Sequence, residues 1–240
     1  MKFSKPKIYR CPFCGALQRI NSIMSGNTIN KSVWSDYKVV LPMLPHVSEV
    51  LRCPICKKYH FYDESQIVGE CNSWCNGSWG NLSYNSLMEA MEQLAPTGVD
   101  ENKLRMMLLW AYNDLYWNTS DAENNTTDFI LQREYFINNV KALIAINSDN
   151  RLFCAELYRE IGEFDKCLDI LNSIKKESAP IHNHLVVDIL IEKAQNRDAK
   201  VFALLHGSNK EIRGSLVEED ETQYIYDPCD DPEACSIYWR

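Results

Sequence analysis

Two short cysteine pairs, Cys11-Pro12-Phe13-Cys14-Gly15 and Cys53-Pro54-Ile55-Cys56, constrain this chain more than any other feature of it. Each places two thiols one tight turn apart, and two such turns supply the four sulfurs of a tetrahedral zinc site. Proline fixes the backbone after the first thiol of each pair, and Gly15 permits a positive-φ step just past the second thiol of its own. The pairs enclose 38 residues, 15 through 52. Closing a loop of that length costs about 3 kcal/mol beyond a constant. Structural zinc contributes roughly 10–16 kcal/mol to a small domain at neutral pH, so metal binding wins. Cys11, Cys14, Cys53 and Cys56 fill the shell and leave no open position. The expected Zn2+ is therefore structural and not catalytic.

Two other thiol chemistries are weaker readings. Cys11-Pro12-Phe13-Cys14 has the spacing of a redox motif, but Gly15 follows where a helix should start, and redox chemistry needs no second pair. Disulfides require an oxidising compartment. The segment Met1–Lys7 is charged and lacks the apolar run of a signal peptide. Nowhere do 18 apolar residues run uninterrupted, so no transmembrane helix and no membrane partner is expected. These features predict a reducing cytoplasm.

The remaining cysteines carry less. Cys71 and Cys75 have the spacing of a second metal pair, with His60 not far ahead, although reduced thiols beside aromatic side chains are the simpler reading. Cys154 and Cys167 fall on apolar helical faces as small core residues, and Cys229 and Cys235 lie in an acidic segment.

Charge is divided unevenly. The net charge is −8, yet residues 1–60 carry ten Lys and Arg against only Asp36 and Glu49. Four thiolates with one Zn2+ remove two positive charges from that surplus. A basic head on an acidic body is compatible with nucleic-acid contact through Lys31, Lys38, Arg52, Lys57 and Lys58. It is equally compatible with charge complementarity inside the protein.

The pattern predicts a mainly α protein with a small β domain: a basic N-terminal zinc ribbon over 1–80, antiparallel helix pairs over 81–208, and an acidic segment over 209–240. In the ribbon, Ile8-Tyr9-Arg10 and Val50-Leu51-Arg52 read as strands leading into the knuckles, and His60-Phe61-Tyr62 as a returning strand. Ser25-Gly26-Asn27 and Ser35-Asp36 read as turns, Val39-Val40-Leu41 as a further strand, and the length of the insert suggests an extra hairpin. From about residue 83 the apolar period becomes helical. Ser86 with Glu89 has capping-box spacing, and Asp100 reads as the next N-cap. Helices are expected to follow to Trp117, over 129–146, and at 150–161, 164–174, 183–195 and 199–206.

Residues Leu152 to Leu168 resemble a tetratricopeptide repeat. Ala155 and Tyr158 stand at its small and tyrosine positions, Gly162 at the turn, and Phe164, Cys167 and Leu171 along the second helix; Arg151 replaces the usual tryptophan. The whole plan, with Ser-Gly-Asn-Thr and Trp-Ser-Asp in the insert, resembles a group of bacterial zinc-ribbon proteins with C-terminal helical repeats. That resemblance implies a fold and a compartment but no activity.

Phosphate-binding, dinucleotide, nucleophile-elbow and zinc-protease motifs are absent from the sequence. His182 and His184 sit two apart, on different faces of a helix. The aromatics Trp74, Trp79, Trp110, Tyr112, Tyr116 and Trp117 fit core packing better than a ligand groove. The expected function is thus a non-enzymatic adaptor that binds an unidentified protein partner through its helices. A nucleic-acid-binding regulator is the alternative, and an enzyme with an unrecognised site comes third.

Overall fold

The computed structural model describes residues 2–45, 47–71, 78–118, 127–177 and 184–205, without the side chains of 116–118, 127–129, 184 and 205. The readings placed on Trp74, Cys75, His182 and the acidic C-terminal segment lie outside these residues. Its strands are β1 (Lys2–Phe3), β2 (Lys7–Arg10), β3 (Leu17–Ile20), β4 (Ile23–Ser25), β5 (Ser32–Trp34), β6 (Val39–Val40), β7 (Val50–Arg52), β8 (Tyr59–Phe61), β9 (Ile67–Glu70) and β10 (Ala203–Leu205). Its helices are α1 (Tyr84–Leu94), α2 (Gly98–Asn118), α3 (Thr127–Ile146), α4 (Arg151–Glu160), α5 (Phe164–Lys176) and α6 (His184–Gln195). Two compact units form: Met1–Ile29 with Leu41–Tyr112, and Asn30–Val40 with Asn113 onward.

In the first unit β2 is the middle strand of an antiparallel sheet ordered β3-β2-β9, β7 and β8 make a hairpin, and β1 pairs with β4. The period of two explains the core. Tyr9 turns inward onto Ile20 and Leu51, while Arg10, next along the strand, is exposed. Helix α1 starts at Ser83, whose hydroxyl accepts the Ser86 amide, and buries Tyr84, Leu87 and Ala90. The expected Ser86–Glu89 capping box does not form. The Glu89 carboxylate instead accepts a 2.7 Å bond from the Tyr59 hydroxyl. Helix α2 opens at Gly98, so Asp100 lies inside the first turn, where a carboxylate favours the positive end of the helix dipole, and is not the N-cap. Its buried face holds Leu104 and Leu108 as expected, with Leu109 and Tyr112 beside them, while Leu115 stays outside. Tyr112 meets Tyr84 edge to face, and Trp79 lies against Phe3.

The second unit is built around α4. Seven of its ten residues are buried. One side joins α5 and α6 in a core of Ala155, Cys167, Leu171, Val187 and Leu190. Another meets the turn between β5 and β6, where the Tyr37 ring stands edge-on to Phe153 at 5.0 Å. The α4–α5 turn passes through Gly162 at φ 82°, a left-handed conformation that glycine adopts without strain. Cys154 and Cys167 are buried core residues, as expected.

The helix expected over 199–206 is absent from the described part of that stretch. Helix α6 stops where Arg197 turns left-handed at φ 51°, and the Asp198 carboxylate accepts the Lys200 amide at 3.0 Å. The chain then continues as β10 in an antiparallel sheet ordered β10-β5-β6. Ser35 fixes this pairing, its amide donating to the Phe202 carbonyl at 2.9 Å and its hydroxyl accepting the Phe202 amide at 3.2 Å. The hairpin expected in the insert therefore exists, as β5–β6, and its sheet partner is the segment that follows α6.

Candidate metal centre

Both cysteine pairs sit where a strand ends, the first after β2 and the second after β7. Their backbones follow one pattern. The Cys11 amide donates to the Ala16 carbonyl at 2.8 Å and the Gly15 amide to the Cys11 carbonyl at 3.0 Å. The Cys53 amide donates to the Lys58 carbonyl and the Lys57 amide to the Cys53 carbonyl, each at 3.0 Å. The fifth residue is left-handed in both knuckles, Gly15 at φ 72° and Lys57 at φ 62°. Gly15 was legible from sequence, but Lys57, the same turn made by a lysine, was not.

The four sulfurs of Cys11, Cys14, Cys53 and Cys56 lie within 4.8 Å of one another. Across the knuckles, Cys11 Sγ is 3.8 Å from Cys56 Sγ and Cys14 Sγ is 3.6 Å from Cys53 Sγ. A tetrahedron with metal–sulfur bonds near 2.3 Å has edges of about 3.8 Å, whereas a disulfide bond spans about 2.05 Å. The spacing is that of ligands around an ion. Cys11 and Cys53 are buried and Cys14 is exposed, so the cluster is rooted in the core and open at one edge.

Electrostatics suit an ion as well. Burial opposes ionisation of Cys53, but hydrogen bonds from the Cys56 and Ile55 amides and from neighbouring thiols outweigh it and bring its pKa down to about 7. At Cys56 the Lys58 amide favours the thiolate, yet burial and the hydrogen bonds with Cys53, Cys14 and Cys11 prevail and hold it up at about 11. Four thiols this close do not all ionise unless a cation offsets the charge, and a divalent ion supplies that offset.

His60 is no part of the cluster. It is buried and stacked on Tyr9 with ring centroids 5.5 Å apart, and burial lowers its pKa. Cys71 is buried at the end of β9, its amide bound to the Pro6 carbonyl at 2.8 Å. The five lysines and arginines singled out as a phosphate-contacting set do not share one unit. Lys31 and Lys38 belong to the second, where the Lys38 ammonium pairs with Asp114. Arg52, Lys57 and Lys58 stay in the first.

A second constellation escaped sequence reasoning. In the second unit Asp36, Glu156, Arg159 and Glu160 are all buried. Arg159 clamps Glu156 through Nε at 2.7 Å and Nη2 at 2.5 Å, and donates from Nη1 to the Asp198 and Lys200 carbonyls at 2.5 and 2.9 Å. Among the described residues Glu160 Oε1 is buried without a hydrogen-bond partner. Burial, with Glu156 and Asp36 nearby, raises the Glu160 pKa well above the usual carboxylate range. Burial with Glu156 likewise lifts Asp36 to about 6, although Asn113 and the Lys38 amide favour its charge. The available signal was the set of charges at 156, 159 and 160 among the apolar residues Leu152, Phe153, Cys154, Ala155 and Leu157 of the same helix. Among the described residues these carboxylates do not gather closely enough to hold a metal, and the four cysteines do.

Comparison with protein-family models, curated proteins and solved structures finds no match to this chain.

Proposed function

We propose that this protein is a zinc-binding, non-enzymatic adaptor of the cytoplasm. Its knuckles hold one Zn2+ through Cys11, Cys14, Cys53 and Cys56, and its helices, with α4 and α5 as a tetratricopeptide-like pair, carry a protein-binding surface. The observation that carries this reading is the set of four sulfurs at tetrahedral spacing. Such a shell is complete without substrate or water, so its ion contributes to folding and not to turnover. Thiols kept free for metal suit a reducing compartment.

Helix α4, the member of a repeat pair that would face a ligand groove, is covered in this protein by its own chain. We put the adaptor surface on α3, where the consecutive residues Ile130 and Leu131 are 59% and 60% exposed. Two large apolar side chains left exposed on one helix are groups that a bound partner would cover.

Two measurements test the proposal. Elemental analysis of the purified protein should find one zinc per chain. A photo-crosslinking residue at position 131 should trap one discrete protein in the native cell, and Ile130→Asp should abolish that product. A metal-free folded protein removes the zinc assignment, and failure to crosslink any protein from position 131 removes the adaptor surface.

A further inference from the structure

Both knuckles turn their third residue outward. Phe13 is 54% exposed and Ile55 is 70% exposed, an aromatic ring and an aliphatic side chain at the tips of two turns whose sulfurs approach to 3.6 and 3.8 Å. Cations lie on these turns or next to them in sequence. Lys58 Nζ lies 4.9 Å from the centre of the Phe13 ring, and Arg10 stands opposite the exposed Leu17 in the β2–β3 register, one residue before Cys11. Arg10, Lys57 and Lys58 are exposed, and among the described residues none of them forms an ion pair with a carboxylate. Arg52, also nearby, is 3.8 Å from Glu89 and so already partly neutralised.

We infer that this knuckle end binds single-stranded nucleic acid, with a base stacked on Phe13 and phosphates held by Arg10, Lys57 and Lys58. An accessible aromatic ring with unpaired cations beside it is the arrangement that single strands use, because every base offers a π face and every nucleotide a phosphate. The ammonium over Phe13 already marks that ring as a cation-adjacent platform. A duplex hides its bases and can use the cations alone. An acidic peptide would likewise meet the cations but has no need of the ring. The chain's net charge of −8 repels polyanions, so any binding must come from a local patch and not from overall charge. The residue set differs from the one the sequence suggested: Lys31 and Lys38 drop out, and Phe13 and Arg10 enter.

The test uses the full zinc-loaded chain and fluorescence anisotropy with short labelled oligo(dT) and oligo(U), the matching duplex, and polyglutamate as competitor. Three phosphate contacts predict that single-strand affinity falls about 20-fold between roughly 50 and 200 mM salt. Lys58→Ala should shallow the logarithmic salt slope by about 0.7. Phe13→Ala should weaken single-strand binding by about tenfold with that slope unchanged, while Phe13→Tyr, which keeps a ring, should restore it. Zinc content and thermal midpoint report whether each variant is folded. Absence of oligonucleotide binding at the lower salt overturns the inference. So does a Phe13→Ala protein with wild-type affinity, and so does polyglutamate competing as well as oligo(dT), which would make the patch an acidic-protein site.

Discussion

Asp36 and Glu160, far apart in sequence, accept hydrogen bonds from the same nitrogen: Asn113 Nδ2 lies 2.9 Å from Asp36 Oδ2 and 3.0 Å from Glu160 Oε2. One amide cannot offset two buried negative charges, and Glu156 adds a third nearby whose arginine is already engaged. The fold is therefore most comfortable with protons on this cluster. Both carboxyls have folded pKa values above their unfolded ones, Asp36 at about 6 and Glu160 well above the usual carboxylate range. Groups of this kind bind more protons folded than unfolded, so the stability they give is complete below the unfolded pKa. It is lost as pH rises through the folded one.

The expected outcome is that the second unit loses stability between about pH 4 and pH 7, by at most about 1.4 kcal/mol per pH unit for each proton concerned. Glu160→Gln makes the neutral state permanent at that position. It should flatten the profile and leave the variant more stable than the wild type at pH 8, on the order of 1 kcal/mol. Urea unfolding of both proteins across this range checks the sign. A difference that grows in favour of the wild type with rising pH would refute it.

Arg159 joins two parts of the second unit through different halves of one guanidinium. Its Nε and Nη2 hold Glu156, while Nη1 reaches the carbonyls of Asp198 and Lys200 just ahead of β10. Its plane also lies over the Phe202 ring at 5.3 Å. Lysine keeps the charge but not the fork. Arg159→Lys should cost about 2–4 kcal/mol, and because the lost bonds include those to 198 and 200, amide exchange should accelerate first at 198–204. Uniform acceleration across α3 to α6 would show that Arg159 serves only general packing.

What could be read from the chain beforehand was what depends on neighbours in sequence. The knuckles, the strands leading into them, and helices α1 to α6 all announce themselves within windows of a few residues. What could not be read depends on partners far away. The β10 segment, with Val201, Phe202 and Leu204, carries an apolar run that suits helix and strand alike, and only its pairing with β5 decides between them. Residues 30–40 looked like part of the ribbon because they lie between its cysteines, yet Tyr37 and Asp36 find their neighbours on α4 and α2. The charges at 156, 159 and 160 would suit a solvated face, yet all three side chains are buried.

The two knuckles allow one comparison at equal geometry. Gly15 and Lys57 hold the same left-handed turn, but only lysine has a Cβ to strain there. Lys57→Gly should stabilise the first unit by about 1 kcal/mol, and Gly15→Ala should destabilise it by a similar amount, since its Cβ would meet nothing else within 4 Å. Gly80 provides the contrast. It is left-handed at φ 74°, and a Cβ there would come within 2.3 Å of Leu51 Cδ2. Gly80→Ala should therefore cost more than Gly15→Ala, about 2–4 kcal/mol, because an overpacked core is added to the backbone strain. Thermal melts of the three variants rank them, and equal losses at Gly15 and Gly80 would discard the packing argument.

The metal centre predicts a graded response to the loss of sulfur. Cys53 is buried at the root of the cluster and Cys14 is exposed at its edge, yet each contributes one of the four sulfurs that lie within metal-binding distance. Replacing either thiolate with a hydroxyl would remove a ligand that zinc prefers and leave an incomplete shell, at a cost of about 2.5–4 kcal/mol if the ligands share the binding energy evenly. Cys53→Ser should lose more thermal stability than Cys14→Ser, because its hydroxyl is also buried where the sulfur was, while both should lower zinc content. Cys154→Ser is the control. That thiol sits in α4 with its sulfur 3.2 Å from the Asn147 carbonyl, and the substitution should leave zinc content at the wild-type level. Excess chelator should bring the melting curve of the wild type down toward that of Cys53→Ser and move the variant little. If instead chelator lowered both proteins by the same amount, the ion would be bound somewhere other than these four sulfurs.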